Sequence, residues 1–228
     1  DGGYVHPTGG WGRRWNGPTW TSLMLSNDPG TYAIWGSSPN DIWLGGGYGS
    51  VTHWNGSVWS TSVRIGESTS DGWDAGPFFR GTIEAFWGSS PNDVWAVGSG
   101  NEGGGIARWN GSAWSVLLRR VPDGLHDVWG SGANDIWAVG GNGVTFHWDG
   151  AAWTRVASST TERLSGVWGS RANDVWAVGS NGVIVHWNGS TWTSVDSGTH
   201  QNLSAVWGAG ADHVWAVGSE GTILHYRP

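Results

Sequence analysis

The chain has 228 residues, of which 22 are tryptophan, 41 are glycine and none is cysteine. Its 11 basic residues are all arginine and face 18 acidic residues, which gives a net charge of −7. The lack of lysine excludes Schiff-base and P-loop lysine chemistry, and the lack of cysteine excludes disulfides and thiolate metal sites. The acidity argues against nucleic acid as a partner, and no membrane-spanning run is present.

Twenty of the 22 tryptophans recur at four positions of a repeating unit. Position B follows A by 8 residues and D follows C by 5 in every unit, and the undisturbed period is 39 residues. The positions are A (Trp35, Trp87, Trp129, Trp168, Trp207), B (Trp43, Trp95, Trp137, Trp176, Trp215), C (Trp15, Trp54, Trp109, Trp148, Trp187, with Tyr226 as a sixth) and D (Trp20, Trp59, Trp114, Trp153, Trp192). A period of this length indicates a repeat architecture.

Each unit is predicted to contain four antiparallel strands. In the fourth unit, residues 164–170 and 174–179 form strands A and B, joined by polar turn residues. Residues 183–193 form strands C and D around an Asn-Gly pair, which favours a two-residue type I′ hairpin. The C and D tryptophans then share one face of the sheet. The sequence predicts an all-β fold, a β-propeller of five four-stranded blades, forming one domain over residues 1–228.

Closure of the ring is predicted from the two ends of the repeat. The C-terminal unit has a C strand ending at Tyr226 and no D strand, which residues 18–22 are able to supply. Residues 1–15 are then surplus, and the alternatives are a sixth, partial blade or a strand exchanged between molecules.

Loops of constant length and loops of variable length lie on opposite rims of the predicted ring. The A–B and C–D turns share one rim, whereas both irregular connections, residues 60–86 and 98–105, lie on the other rim and adjoin the same blade. Loops on a rigid scaffold usually carry binding residues. An off-register tryptophan among carboxylates and an arginine suits a sugar, whose apolar ring face stacks on an indole. The candidate sugar site comprises Asp71, Trp73, Asp74, Arg80, Asn101 and Glu102. Alternatively, Trp73, Phe78 and Phe79 only hold the long loop against the blade.

Histidines and aspartates also recur with the unit. Histidine precedes position C four times, but each lies in a different blade and outside the innermost strand, so a metal site is not expected. We predict that the rings bind a turn acid or backbone groups instead. The A–B turns carry an aspartate, shifted by one residue in the last unit, where His213 follows Asp212. These acids are predicted to stabilise their turns.

A catalytic alternative rests on the innermost strands. The position three residues before the A tryptophan carries Glu84 and His126, and Asp127 follows. If these side chains faced the central channel, they would provide the titratable groups that a hydrolase needs. Scattered polar residues are ordinary in channel walls, so we expect no enzyme activity, and no cofactor is expected.

The segment Val-Ile-Val-His-Trp-Asn-Gly-Ser-Thr-Trp-Thr at 183–193 resembles the repeats of tectonin and tachylectin-like propeller lectins. The motif Trp-Gly-Ser-x-x-Asn-Asp-Val-Trp-Ala-Val-Gly resembles repeats of secreted bacterial proteins of myxobacterial type. The resemblance implies a secreted or cell-surface, carbohydrate-binding lectin with glycans or glycoconjugates as partners. The alternative is a non-catalytic module that binds a protein within a larger surface or adhesive assembly.

Overall fold

The computed structural model describes residues 10–15, 18–25, 30–66 and 81–227. Within these ranges the regular structure is almost entirely strand, with three short 3-10 turns, Gly141–Gly143, Ser180–Gly182 and Ser219–Gly221. The strands are β1 (Gly10–Trp15), β2 (Trp20–Leu25), β3 (Thr31–Ser38), β4 (Asp41–Gly46), β5 (Ser50–Trp54), β6 (Val63–Arg64), β7 (Gly81–Ser90), β8 (Asp93–Gly100), β9 (Gly104–Trp109), β10 (Trp114–Val121), β11 (Leu125–Gly132), β12 (Asp135–Gly140), β13 (Val144–Trp148), β14 (Trp153–Ala157), β15 (Leu164–Arg171), β16 (Asp174–Gly179), β17 (Ile184–Trp187), β18 (Trp192–Val195), β19 (Leu203–Gly210), β20 (His213–Gly218) and β21 (Ile223–Tyr226).

These strands form sheets in sequence order, as predicted. Four sheets have four antiparallel strands each: β3 to β6, β7 to β10, β11 to β14 and β15 to β18. A fifth sheet has the three strands β19 to β21, and β1 and β2 form a two-stranded sheet. The innermost strands β3, β7, β11, β15 and β19 each pack against the next one. We name the five larger sheets the first to the fifth; the first four have tryptophan at the predicted A, B, C and D positions, and the fifth has it at A and B, with Tyr226 at C.

The hairpin between strands C and D differs from the prediction in its turn. Trp187 pairs directly with Trp192, and the loop between them has four residues, not two. Gly189 has φ +96°, whereas Asn188 is not in the left-handed region, so the turn lacks the two successive positive φ values that type I′ requires. The cause is the Asn188 side chain, whose Oδ1 accepts the N–H groups of Ser190 and Thr191 at 3.0 Å each. The two tryptophans nevertheless share a face, as predicted.

The predicted closing strand does not occupy its expected place. β2 pairs with β1, and Trp20 lies opposite Trp15 in the register that Trp192 has with Trp187. Because β1 occupies the edge that β2 would present to β21, β2 is a D strand of its own hairpin and does not complete the fifth sheet. Within the described ranges β21 pairs with β20 alone. The β1–β2 hairpin fits the partial sixth blade, and a ring of five blades stays a prediction.

Candidate interaction surface

Tryptophans hold adjacent sheets together through a contact that repeats along the chain. Trp137, at position B of the third sheet, is fully buried and lies 4.7 Å from Trp187 and 5.0 Å from Trp192 of the fourth sheet, between ring centroids. The second of these pairs is edge to face, the geometry that the quadrupoles of two aromatic rings favour. Trp43 and Trp95 make the same pair of contacts with the C and D indoles of the sheet that follows each.

A second contact joins each A tryptophan to a glycine of the next sheet. A Cβ at Gly169 would lie 2.6 Å from Cη2 of Trp129, so only glycine lets the indole lie flat on the neighbouring backbone. The same arrangement brings Trp35 to Gly88, Trp87 to Gly130 and Trp168 to Gly208. Each of the first four sheets thus covers the following one with its A indole, and each of the first three receives two indoles on its B tryptophan.

The fifth sheet leaves the corresponding face open. Trp207, its A tryptophan, is 62% exposed, and Trp215, its B tryptophan, is 39% exposed, whereas Trp176 of the fourth sheet is 5% exposed. Val217 and Ile223, paired across the sheet beside them, are exposed too. Trp207 is paired with Trp215, and Trp215 stacks on His225 at 3.7 Å. We call Trp207, Trp215, Val217, Ile223 and His225 the open face.

The first sheet has a complementary exposed side. Ile34 is 71% exposed, whereas Phe86 and Val128, at the same position of the next two sheets, are buried. Gly36 is crowded by Asp41 and Ile42 of its own sheet, and no indole is among its three nearest neighbours. In the described part of the chain, therefore, both ends of the row of sheets expose the groups that are buried at the inner junctions.

The recurrent aspartates and histidines form a structural device, as predicted. Ser37 Oγ donates to Asp41 Oδ2 at 2.5 Å, and His53 Nε2 lies 2.6 Å from Asp41 Oδ1. Because an ionised carboxylate only accepts hydrogen bonds, the ring donates from Nε2. His53 also stacks on Trp43 at 4.2 Å. The aspartate stands between the serine and the histidine, so the ring is not placed to activate the hydroxyl as a general base would.

Other sheets repeat this device with small changes. His147 binds Asp135 at 2.6 Å and His186 binds Asp174 at 2.7 Å, while Arg108 takes the place of histidine on Asp93. Burial opposes ionisation of Asp174, but hydrogen bonds from Ser170 and His186 outweigh it and hold the pKa of the carboxyl below its usual value. In the fifth sheet His213 takes the place of the acid and lies 3.3 Å from His225, which confirms the one-residue shift. No metal-binding cluster of three or more such side chains occurs among the described residues.

The residues of the catalytic alternative have separate partners. Ser99 Oγ donates to Glu84 Oε1 at 2.6 Å. Asp127 accepts the N–H of Val128 at Oδ1 and the N–H of Val167, in the next sheet, at Oδ2. Burial, and then the charge of Arg163, lowers the pKa of His126 to about 4. Asp127 therefore joins two sheets, and this arrangement gives the hydrolase alternative no support.

Asp127 makes the junction between the third and fourth sheets sensitive to pH. Burial raises the pKa of its carboxyl to about 6, against the opposing effect of the two backbone hydrogen bonds. A raised pKa in the folded state means that stability falls as pH rises from about 4 to about 6, by on the order of 1–3 kcal/mol, and is level above that range. The lowered pKa of His126 makes an opposite contribution over the same range, so the expected result is a difference between two chains. In urea unfolding across pH 4–7, the wild type is expected to lose stability relative to Asp127→Asn as the pH rises from about 4 to about 6. The same pH dependence in both chains would assign it to another group.

The structure describes two of the six residues of the candidate sugar site. Asp71, Trp73, Asp74 and Arg80 lie outside the described residues. Asn101 and Glu102 are exposed at the turn between β8 and β9, on the rim where the sequence places them. On that rim, a shallow groove of about 850 Å³ is lined by Asn142, Arg155, Glu162 and several hydroxyl groups between them. Sequence reasoning did not find this groove, or the open face.

Comparison with known proteins identifies the fold. No protein-family model matches the chain, and no curated protein matches it. Among solved structures, YCF48 from Cyanidioschyzon merolae has a TM-score of 0.68 at 18% identity, covering 93% of this chain and 74% of that one. A structure of YCF48 bound to D1 peptide has a TM-score of 0.66 at 17% sequence identity, and the match covers 93% of this chain and 70% of that one.

The WD40 β-propeller domain of Doa1 gives a TM-score of 0.67 at 10% identity, covering 88% of this chain and 65% of that one. Membership of the tectonin or tachylectin-like family and a bacterial origin stay predictions, since these neighbours are propellers of other kinds. In the described ranges, no helix has the length and apolar character to cross a membrane. At these identities the likeness shows the fold, and the chain is an all-β protein of propeller type with tryptophan-rich sheets.

Proposed function

We propose that the chain is a non-catalytic protein-interaction module and that its partner binds the open face. The exposure of Trp207 and Trp215 carries the proposal, since equivalent side chains at the inner junctions are covered by the next sheet. Apolar patches of this kind on a soluble protein mark interaction sites. Tryptophan is also the residue type most enriched among the side chains that dominate binding energy at interfaces.

The inner junctions indicate what the partner presents. Each B tryptophan of the first three sheets receives two indoles from one β-hairpin, and these indoles are cross-strand partners, as in Trp187 and Trp192. Trp215 has the same sheet position and is 39% exposed. We infer that the partner offers a β-hairpin with two aromatic residues on one face. YCF48, a neighbour in fold, binds a peptide, which supports a protein partner for this chain.

A synthetic hairpin tests the proposal. The probe is a cyclised, labelled peptide with the sequence of residues 183–195, since cyclisation supplies the order that a short hairpin lacks in water. It is expected to bind the purified chain, and Trp207→Ser and Trp215→Ser are each expected to weaken binding at least about tenfold, as the loss of a central interface tryptophan does. Fluorescence anisotropy measures both.

Two controls distinguish specific binding from non-specific hydrophobic binding. Val58→Ser removes an exposed apolar side chain from the turn between positions C and D of the first sheet. It is expected to leave the affinity for the probe unchanged. A probe with serine at both tryptophan positions is expected not to bind. Equal binding of that probe, or of the Trp207→Ser and Trp215→Ser chains, would contradict the proposal. Concentration-dependent self-association abolished by Trp207→Ser would instead make a second copy the occupant.

Carbohydrate binding is the second candidate function. The groove beside Arg155 and Glu162 favours it, because it combines charged groups with a row of hydroxyls on the rim that also carries Asn101 and Glu102. A groove of this volume is large enough for a small ligand. A glycan array probed with the wild type and with Trp73→Ala tests this function. Binding lost in the folded variant would place the sugar at the long insertion, and such a lectin is proposed to be secreted or at the cell surface.

A further inference from the structure

The fifth sheet departs from the other sheets in the device that combines serine, aspartate and a basic side chain. Ala209 stands where the first four sheets have serine, and His213 stands where they have aspartate. His225 keeps the histidine position and stacks on Trp215 at 3.7 Å between ring centroids, as the equivalent histidines of the first, third and fourth sheets stack on their B tryptophans. The fifth sheet therefore has a second imidazole where the others have a carboxylate.

The two imidazoles bring a pair of nitrogen atoms close together within one sheet. Nδ1 of His213 lies 3.3 Å from Nε2 of His225. This distance is longer than is usual for a hydrogen bond donated by an N–H group. It matches the separation of two nitrogen ligands on one tetrahedral zinc ion, about 3.3–3.4 Å, because each Zn–N bond is about 2.0–2.1 Å long. The pair thus has the spacing of two ligands of one metal ion.

The chemical state of this pair also suits a metal. Desolvation, and then the charges of Arg227 and His213, lower the pKa of His225, so the ring is neutral at neutral pH, and neutral imidazole is the form that binds metal. Imidazole is a preferred ligand of zinc, copper and nickel ions. The equivalent His147 and His186 differ, because Nε2 of each donates a hydrogen bond to an aspartate of its own sheet.

The accessibility of the pair does not depend on what covers the open face or the outer edge of the fifth sheet. His147 and His186 hold the position of His225 in sheets that have four strands and a sheet on either side. The side chain of each is nevertheless 26% exposed. A strand or sheet added beside the fifth sheet would therefore leave its histidines within reach of a cation.

We propose that His213 and His225 bind one zinc ion through Nδ1 and Nε2, with water in its remaining coordination positions. Arg227 competes with the metal, because its Nε donates to Nδ1 of His225 at 3.0 Å and so holds the proton of that neutral ring on Nε2. Zinc binding requires this proton to leave Nε2, water to return a proton to Nδ1, and Arg227 to move away.

Isothermal titration calorimetry with zinc chloride tests the site. The wild type is expected to bind one zinc ion, and His213→Gln and His225→Gln are each expected to weaken binding at least about tenfold, since each removes one of the two protein ligands. Arg227→Gln is expected to strengthen binding, because it removes a positive charge and the competing donor. The control is His200→Gln, which removes an exposed histidine between β18 and β19 and is expected to leave zinc affinity unchanged.

Electron paramagnetic resonance with Cu²⁺ as the probe identifies the ligands. Hyperfine coupling to two imidazole nitrogens is expected in the wild type, and coupling to one in His213→Gln. Absence of zinc binding by the wild type, or equal zinc affinity in the wild type and both histidine variants, would overturn the inference. His225 belongs to the open face as well, but the metal is measured without any partner, and Trp207→Ser is expected to keep the zinc affinity while it weakens hairpin binding. The two proposals therefore fail independently.

Discussion

Trp137→Ala is expected to lower the free energy of unfolding by about 3–5 kcal/mol, the usual cost of removing a buried aromatic side chain. Trp137 is fully buried and contacts Trp187, Trp192 and His147. Trp215→Ala, at the same position of the fifth sheet, is expected to cost less than Trp137→Ala by about 2 kcal/mol, because Trp215 is 39% exposed and so buries less apolar surface. Urea titration followed by far-ultraviolet circular dichroism measures both variants against the wild type.

The difference between the two variants is the informative quantity. They change the same residue type at the same strand position, so intrinsic strand propensity is common to both. A loss for Trp215→Ala as large as that for Trp137→Ala would show that the fifth sheet is covered in solution, and the open face would not exist.

Gly169→Ala is expected to destabilise the fold by about 2 kcal/mol more than Gly36→Ala, which is within the usual cost of overpacking. A Cβ at either position lies within 3 Å of a backbone oxygen of its own sheet, at 2.8 Å for Gly169 and 2.7 Å for Gly36. Only at Gly169 does it also meet an indole, that of Trp129 at 2.6 Å. Gly36→Ala therefore controls for the change in backbone and strand propensity.

Thermal unfolding of the two glycine variants provides the measurement. Equal destabilisation would mean that Gly36 is covered by a ring as Gly169 is. Trp207 is the A tryptophan that would cover it in a closed ring of five sheets, so this result would restore the predicted closure and remove the open face.

The spacing of tryptophans was enough to predict the sheets, because each unit repeats one packing contact and bulky side chains are needed at both faces of a sheet. The turn was predicted wrongly, because the Asn188 side chain accepts hydrogen bonds from two amides inside a four-residue loop, which a two-residue hairpin does not contain. The place of the closing strand was predicted wrongly, because β2 pairs with β1, its neighbour in sequence, and not with β21.

Less of the candidate site than of the fold was predictable from the sequence. The motif Trp-Ala-Val-Gly occurs around both Trp137 and Trp215, yet the first tryptophan is fully buried and the second is 39% exposed. Burial here depends on the neighbouring sheet and not on local sequence. A signal in the sequence was Tyr226, which stands at position C of the fifth unit where the other units have tryptophan.

Hydroxyl-radical footprinting with mass spectrometry, with and without the cyclised hairpin of residues 183–195, tests the central claim most directly. Trp207 and Trp215 are expected to oxidise much faster than the buried Trp95 and Trp137 in the free chain, and to become protected when the hairpin is added. Protection of Trp207 and Trp215 in the free chain, or unchanged oxidation with the hairpin bound, would contradict an interaction surface on the open face.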